Sequence, residues 1–487
     1  MTEPLLCELS VSGRQGLRFP EPDVPLAPLP ETLTRRDLPL PELYETDVVR
    51  HFTRLSQLNY CIDTGMYPLG SCTMKYNPKI NEEVARLEGF AALHPLQPVE
   101  TVQGALLLMY ELQEYLKEIG GFAAVTLQPA AGAQGELTGV LITRAYHRSR
   151  GDVKRDKILI PDSAHGTNPA TSAMSGMRVV TLPSDGRGNV DLVALRSECD
   201  NTLAGLMFTN PNTLGLFDEN VKEVCRLVHA AGGLVYGDGA NMNALLGIAR
   251  PGDLGIDLMH FNLHKTFSTP HGGGGPGSGP VGVAAYLVDF LPAPIIGIIE
   301  EGNDEEPPLY GYLTPAKSIG RVKSFLGQFG MMVRAYTYIR MHGPDGLRKI
   351  SEYAVLNANY LLALLKGTYH LPYDRICMHE FVLEGRWQAA PDIHALDIAK
   401  RMMDYGLHPP TNYFPLIVHE ALMIEPTESE SKQILDAFAD VLLKIAQEAH
   451  TEPELLKTAP HITPVGRLDE VKAAKELVLC CAFGIEA

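Results

Sequence analysis

Apolar and polar positions along this chain follow two periods in turn. Short apolar runs fall at residues 124–127, 157–161, 178–182, 204–208, 233–237, 258–263 and 281–288. Between them, helical spacing predicts helices over 136–149, 190–199 and 221–231, preceded by one over 105–119 that stops at Gly120-Gly121. Strands that are apolar throughout and alternate with helices predict an α/β architecture, a mostly parallel central sheet covered on both faces. Such sheets bind ligands at the carboxyl ends of their strands.

The pattern changes at both ends. Beyond about residue 340 longer helices are predicted over 347–365, 393–405 and 430–450, with a β-like stretch at 414–418. Thr427-Glu-Ser-Glu430 reads as a capping box for the last of them. Residues 1–45 are rich in proline, as in Leu26-Ala-Pro-Leu-Pro30, which excludes a mostly helical segment. Apolar residues alternate with these prolines, so an extended arm lying on a partner is expected. The expected organisation is an arm with short helices over 1–95, a large α/β domain over 96–340 and a smaller α+β domain over 341–487.

Composition narrows the function. The 487 residues carry a net charge of −17, which argues against a nucleic acid or an anionic membrane as partner. The eight cysteines include no CxxC pair, so zinc-ribbon and thioredoxin-like chemistry is not expected, nor is any metal. They read as reduced thiols of a cytoplasmic protein. Met-Thr-Glu-Pro does not open a signal peptide, and the apolar runs fall far short of a membrane span.

The chemistry gathers at predicted strand ends. Gly233-Leu-Val-Tyr-Gly-Asp238 ends in a carboxylate, and Phe261-Asn-Leu-His-Lys265 ends in an amine 27 positions later. A Lys and an Asp in this order suit a pyridoxal 5'-phosphate enzyme: the amine joins the coenzyme aldehyde as a Schiff base, and the carboxylate keeps the pyridine nitrogen protonated. Asp238 has a simpler reading as the cap of a helix beginning near Ala240. Gly132-Ala-Gln-Gly135 precedes a helix and is placed to receive a phosphate on backbone N–H groups, although alone it would be an ordinary glycine turn. His165, just past a strand, offers a flat ring to stack on the pyridine. In Thr209-Asn-Pro-Asn-Thr213, Asn210 or Asn212 is placed to bond the cofactor's phenolic oxygen, against the common alternative of an Asx turn.

Other motifs exclude or stay open. The run from His271 to Pro280 contains GxGxxG matches at 272–277 and 277–282, but neither lies between a strand and a helix, so a dinucleotide site is rejected. GxSxG and HExxH are missing from the sequence, which removes two hydrolase classes. Cys72 reads as an inert thiol rather than a catalytic one. For a substrate carboxylate, Arg348, Arg375, Arg386 and Arg401 are candidates without a motif, and Ser71 and Thr73 are softer ones.

Five stretches carry a resemblance: Pro68-Leu-Gly-Ser-Cys-Thr-Met-Lys75, Asp162-Ser-Ala-His-Gly-Thr-Asn-Pro169, Asp238-Gly-Ala-Asn-Met-Asn243, Asn262-Leu-His-Lys-Thr-Phe267 and Gly272-Gly-Gly-Gly-Pro-Gly277. In these the chain resembles the glycine dehydrogenases (decarboxylating), the P-proteins of the glycine cleavage system, over nearly its whole length. Its length is similar to that of the family's subunit 2, the β form. The resemblance implies a fold-type-I pyridoxal-phosphate enzyme that decarboxylates glycine and passes the aminomethyl group to the lipoyl arm of the H-protein. It also implies a homologous subunit 1 and an α2β2 heterotetramer. It assigns the Schiff base to Lys265, the ring nitrogen to Asp238, stacking to His165 and the phosphate to Ala133 and Gln134. Asn210, Ala240 and His264 complete the expected cofactor-binding set. Two rivals remain: another enzyme of this fold type, such as a cysteine desulfurase or aminotransferase, and a cofactor-free scaffold subunit. The presence of both Lys265 and Asp238 counts against the second.

Overall fold

The structure, a computed structural model, describes residues 3–35, 38, 40–271 and 275–477. The first half of the glycine run, 272–274, and Cys480 and Cys481 lie outside the described residues. The chain forms two compact units, Met66–Lys457 and a second made of Met1–Gly65 with Thr458–Ala487.

In the larger unit seven strands form one sheet. They are β1 (Ala124–Thr126), β2 (Lys157–Pro161), β3 (Arg178–Leu182), β4 (Leu203–Thr209), β5 (Leu234–Gly239), β6 (Leu258–Phe261) and β7 (Val281–Val283). Their spatial order is β1-β7-β6-β5-β4-β2-β3, with β7 antiparallel to both neighbours and the other pairs parallel. Every residue of β4 and β5 is buried, the consequence of helices on both faces. Alternate side chains sort to the two faces. Leu206 and Val235 join one core with Leu112 and Leu116 of helix α1 (Gln103–Gly120), and Met207 and Tyr236 join another with Val140 and Ile142 of α2 (Gly132–Ser149). Helix α1 stops where expected, because Gly121 takes the left-handed conformation (φ 75°) and its N–H bonds the Lys117 carbonyl.

Several elements depart from the sequence expectation. The apolar run 281–288 is a three-residue strand followed by a 3-10 turn, Ala285–Phe290. A helix α3 (Thr167–Met174) and the hairpin β8 (Ile295–Glu300) and β9 (Leu309–Leu313) were not expected. Further helices are α4 (Leu192–Glu198), α5 (Val221–Ala230), α6 (Phe329–Leu365), α7 (Ala395–Asp404) and α8 (Lys432–Thr451). Helix α6 begins well before residue 347 and is broken at Gly343, just ahead of Pro344.

A second sheet of three antiparallel strands, β10 (Phe381–Glu384), β12 (Ala421–Ile424) and β11 (Thr411–Asn412), packs Phe381, Leu383 and Leu422 with Leu361 of α6 and Phe438 and Leu442 of α8. The β-like stretch 414–418 is not a strand. The capping box is also corrected: Ser431, not Thr427, caps α8, its hydroxyl accepting the Ile434 N–H, because Thr427 sits at φ 64° outside the helix.

In the smaller unit the described residues ahead of helix Glu45–Leu58 carry one 3-10 turn, Glu31–Leu33. Phe19, Leu26, Leu29 and Leu33 are exposed there. Glu3 anchors the start of this segment, accepting from Arg54 at 2.7 Å and pairing with the His51 ring at 3.1 Å.

Candidate active site

The register brings the chemistry together. Thr209 at the end of β4 is opposite Asp238 in β5, and Asp238 is opposite His260 in β6. The chain after β6 turns back on itself, the Lys265 and Thr266 N–H groups bonding the Asn262 carbonyl, and so returns Lys265 over the same strand ends. Helix α2 begins beside them. Close approach is possible because Gly132 and Gly135 have no Cβ: one added at Gly135 would lie 2.7 Å from the His260 side chain and 2.9 Å from the Gly279 carbonyl.

A cavity of about 230 Å³ results, lined among others by Ala131, Gly132, Ala133, Glu136, His165, Thr209, Thr213, Asp238, His260, Asn262 and Lys265. Of the residues expected from sequence it gathers Lys265, Asp238, His165, Ala133, Ala240, His264 and Ser71, whereas Thr73 is turned to Glu425. Gln134 and Asn210 do not line it. The Gln134 carboxamide is committed to the Ala130 N–H (2.7 Å) and the Val322 carbonyl (2.7 Å). Asn210 accepts from the Asp218 N–H (2.9 Å), and Asn212 is held by Gly188, Leu214 and Leu216. From that turn it is Thr209 and Thr213 that reach the cavity.

Asp238 is buried, and burial alone would raise its carboxyl. The nearby His260, the Ala240 N–H at 2.9 Å, Lys265 and His165 outweigh that and hold it below the usual carboxylate range. The capping expectation is thus half met: Asp238 does accept from Ala240, but only a 3-10 turn, Met242–Ala244, follows. His260 is buried, with Nε2 3.4 Å from Asp238 Oδ1 and Nδ1 2.6 Å from the Tyr236 hydroxyl. Burial lowers its pKa, so the neutral ring predominates. Burial also pushes His264 down to about 3, where its Nδ1 accepts from the Ser278 N–H. His165 is exposed on the cavity wall, its Nδ1 2.9 Å from Thr167 Oγ1. Lys265 donates from Nζ to the Ser71 carbonyl at 2.8 Å.

Glu136 was missed as a site residue. It is buried in the cavity wall, accepting from Thr167 (2.8 Å) and Thr171 (3.3 Å), and burial together with the charge of Asp238 raises it to about 8. Its one sequence signal was its place four residues after Gly132, on the same face of α2. None of the four candidate arginines lines the cavity. Arg348 pairs with Glu352, Arg386 with Glu384, and Arg401 with Glu448, while Arg375 bonds the Arg187 and Phe217 carbonyls.

The cavity suits a polar, anionic, aromatic cofactor. Thr209 Oγ1 and Asn262 Oδ1 are buried on its walls without a hydrogen-bond partner, and buried polar atoms of this kind call for one. No side chain caps Ala131, so the first N–H groups of α2 are left for an anion. An amine, Lys265, and a carboxylate, Asp238, both line it.

The fold is that of the fold-type-I pyridoxal-phosphate enzymes. Solved structures bear out the fold. The chain superposes on a crystal structure of the glycine decarboxylase (P-protein) of the glycine cleavage system in inhibitor-bound form with a TM-score of 0.73, at 22% identity over 86% of this chain and 93% of that one. A cysteine desulfurase from Thermococcus onnurineus superposes with a TM-score of 0.60 at 16% identity, over 79% of this chain and 95% of its own. The family model described as the glycine cleavage system P-protein matches residues 27–403, and that of the glycine dehydrogenase C-terminal domain matches 350–461. A probable glycine dehydrogenase (decarboxylating) subunit 2 from Caldanaerobacter subterraneus is 58% identical over 98% of both chains, and one from Chloroherpeton thalassium is 57% identical over 98% of this chain and 97% of its own. The chain belongs to the glycine cleavage system P-protein family.

Proposed function

We propose that this chain is the coenzyme-bearing subunit of a glycine decarboxylase. It takes glycine, releases its carboxylate as CO2 and passes the aminomethyl group to the lipoyl disulfide of the H-protein. The observation that carries this reading is the meeting of Lys265 and Asp238 in one polar cavity within a chain of this family. The electron pair left when CO2 departs ends on the disulfide. One C–S bond forms, the S–S bond breaks, and the second sulfur takes a proton, so no outside oxidant is needed.

Pyridoxal phosphate, held by Lys265, supplies the electron sink for that pair. Asp238, held below the usual carboxylate range by His260, the Ala240 N–H, Lys265 and His165, would keep a pyridine nitrogen protonated. The N–H groups at the start of α2 near Ala133 would receive the phosphate, His165 would lie against the ring, and Ala240 and His264 would close the walls. Glu136 carries a proton at neutral pH, which limits the negative charge beside Asp238. Aminotransferases use an arginine to grip the substrate carboxylate; the four candidates lie elsewhere, which suits a carboxylate that must leave. The partners are a homologous subunit 1, in an α2β2 assembly, and the lipoylated H-protein. The exposed apolar residues near Phe19 and Leu26 are suited to a protein contact. The six described cysteines are free, as a reducing cytoplasm would leave them. No described helix is long and apolar enough to cross a membrane.

The test is glycine–bicarbonate exchange by the chain with subunit 1, with and without lipoylated H-protein. Exchange should need the H-protein, and Lys265→Ala should abolish both exchange and the borohydride-fixable visible band. Transamination of alanine by the chain with no lipoyl protein would overturn the reading.

A further inference from the structure

Behind Lys265 lies a buried group of side chains that the site above does not use. Glu380 is wholly buried just ahead of β10. Its Oε2 accepts the Ser71 N–H at 2.7 Å, and its Oε1 accepts Asn241 Nδ2 at 3.2 Å. Ser71 in turn offers its carbonyl to Lys265 Nζ at 2.8 Å. One peptide residue thus joins a buried carboxylate to the reactive amine. Ser71 holds a left-handed backbone (φ 65°), which a residue with a side chain adopts only when its surroundings enforce it.

The surroundings do so. On one side, the Gly70 N–H bonds the Met423 carbonyl (3.2 Å) and the Gly70 carbonyl accepts from Thr411 Oγ1 (2.8 Å). On the other, Thr73 donates to Glu425 at 2.6 Å. A Cβ at Gly70 would lie 2.3 Å from the Met423 side chain, so the loop and β12 are in close contact. Within this strapping, Glu380 accepts the Ser71 N–H on one side of the residue, and the Leu69 carbonyl accepts the Cys72 N–H at 3.3 Å on the other.

We propose that Glu380 is a positioning residue for Lys265: by gripping the Ser71 N–H it orients the Ser71 carbonyl, which holds the Lys265 amine where the coenzyme aldehyde meets it. The inference rests on the proposed coenzyme reading. His379 and Glu425 stand next to Glu380, with His379 Nε2 3.8 Å from Glu380 Oε1 and 4.0 Å from Glu425 Oε2. Among the described residues neither ring nitrogen of His379 has a hydrogen-bond partner, nor has Glu425 Oε2. A divalent cation is the rival occupant of that trio. It is less favoured, because both oxygens of Glu380 already accept hydrogen bonds.

The experiment uses the coenzyme-free complex of this chain with subunit 1. Pyridoxal phosphate is added with cyanoborohydride, and its fixation at Lys265 is followed by peptide mapping. Glu380→Ala should slow fixation about tenfold, the loss expected for one buried hydrogen bond, and Glu380→Gln, which keeps an acceptor, should restore it to within about threefold. Amide exchange of Ser71 should be slow in the wild-type complex before any coenzyme is added, which reads the grip even if Glu380→Ala fails to fold. Wild-type fixation rates in Glu380→Ala, no rescue by Gln, free exchange at Ser71, or one metal per chain lost with Glu380 would each overturn the proposal. Failure of the wild type to fix coenzyme at Lys265 would instead sink the coenzyme reading, and the Ser71 exchange would still decide whether Glu380 holds the loop.

Discussion

Asp238 and His260 face each other across adjacent parallel strands, with the imidazole Nε2 3.4 Å from the carboxylate Oδ1. The far side of the ring, Nδ1, meets the Tyr236 hydroxyl at 2.6 Å, so the ring is clamped between two groups of β5. The contact lets a carboxylate stay ionised in a site whose burial opposes charge.

Replacing Asp238 by Asn keeps shape and removes the charge. Exchange activity should fall by roughly 10²–10³-fold, with weakened coenzyme retention and unchanged circular dichroism. Retention of full activity by Asp238→Asn would remove the carboxylate from the chemistry.

Glu136 sets a pH dependence. Its carboxyl rises from 4.5 to about 8 on folding, so the native chain binds more protons than the unfolded one between these values. Stability contributed at this site is therefore present at low pH and lost as pH climbs from about 4.5 to 8. Thermal melts of the coenzyme-free protein across that window should fall less steeply in Glu136→Gln than in the wild type. Parallel slopes would contradict the raised carboxyl.

Lys75 is buried and reaches Glu428 at 2.7 Å, Asn243 at 2.7 Å and Tyr338 at 3.2 Å. Lys75→Met should cost about 3–5 kcal/mol in denaturant unfolding, because Glu428 is left without its cation. The double variant Lys75→Met with Glu428→Leu should recover part of that loss. If the double variant is worse than the single one, the pair is not the source of the cost.

Gly239 ends β5, and a Cβ there would lie 1.8 Å from the His260 carbonyl. Gly239→Ala should push β5 and β6 apart, costing about 1–3 kcal/mol and lowering coenzyme affinity at least severalfold. An equilibrium titration of coenzyme against the variant and the wild type checks it.

The strands β2, β4, β5 and β6 were readable because a strand buried on both faces is apolar at every position, whatever it pairs with. Lys265 and Asp238 were readable for a related reason. A charged residue at or shortly past the end of such a run lies near the edge where a parallel sheet receives its ligands, although Lys265 reaches it only through the turn after β6. Gln134 and Asn210 show the limit of this reasoning. Asn210 follows β4 as expected, whereas Gln134 lies in the first turn of α2 rather than ahead of it, and the local backbone sends one side chain to Asp218 and the other to Val322.

Residue type and periodicity therefore settle which segments are strands and which groups stand at their ends, since burial acts on each segment through its own composition. The neighbours of those groups are another matter. His260 reaches Asp238 only through strand register, and Glu380 reaches Ser71 across 309 residues of chain. Such pairings are chosen by how helices and sheets close on one another, a cooperative packing of distant segments that leaves no local trace in the order of amino acids.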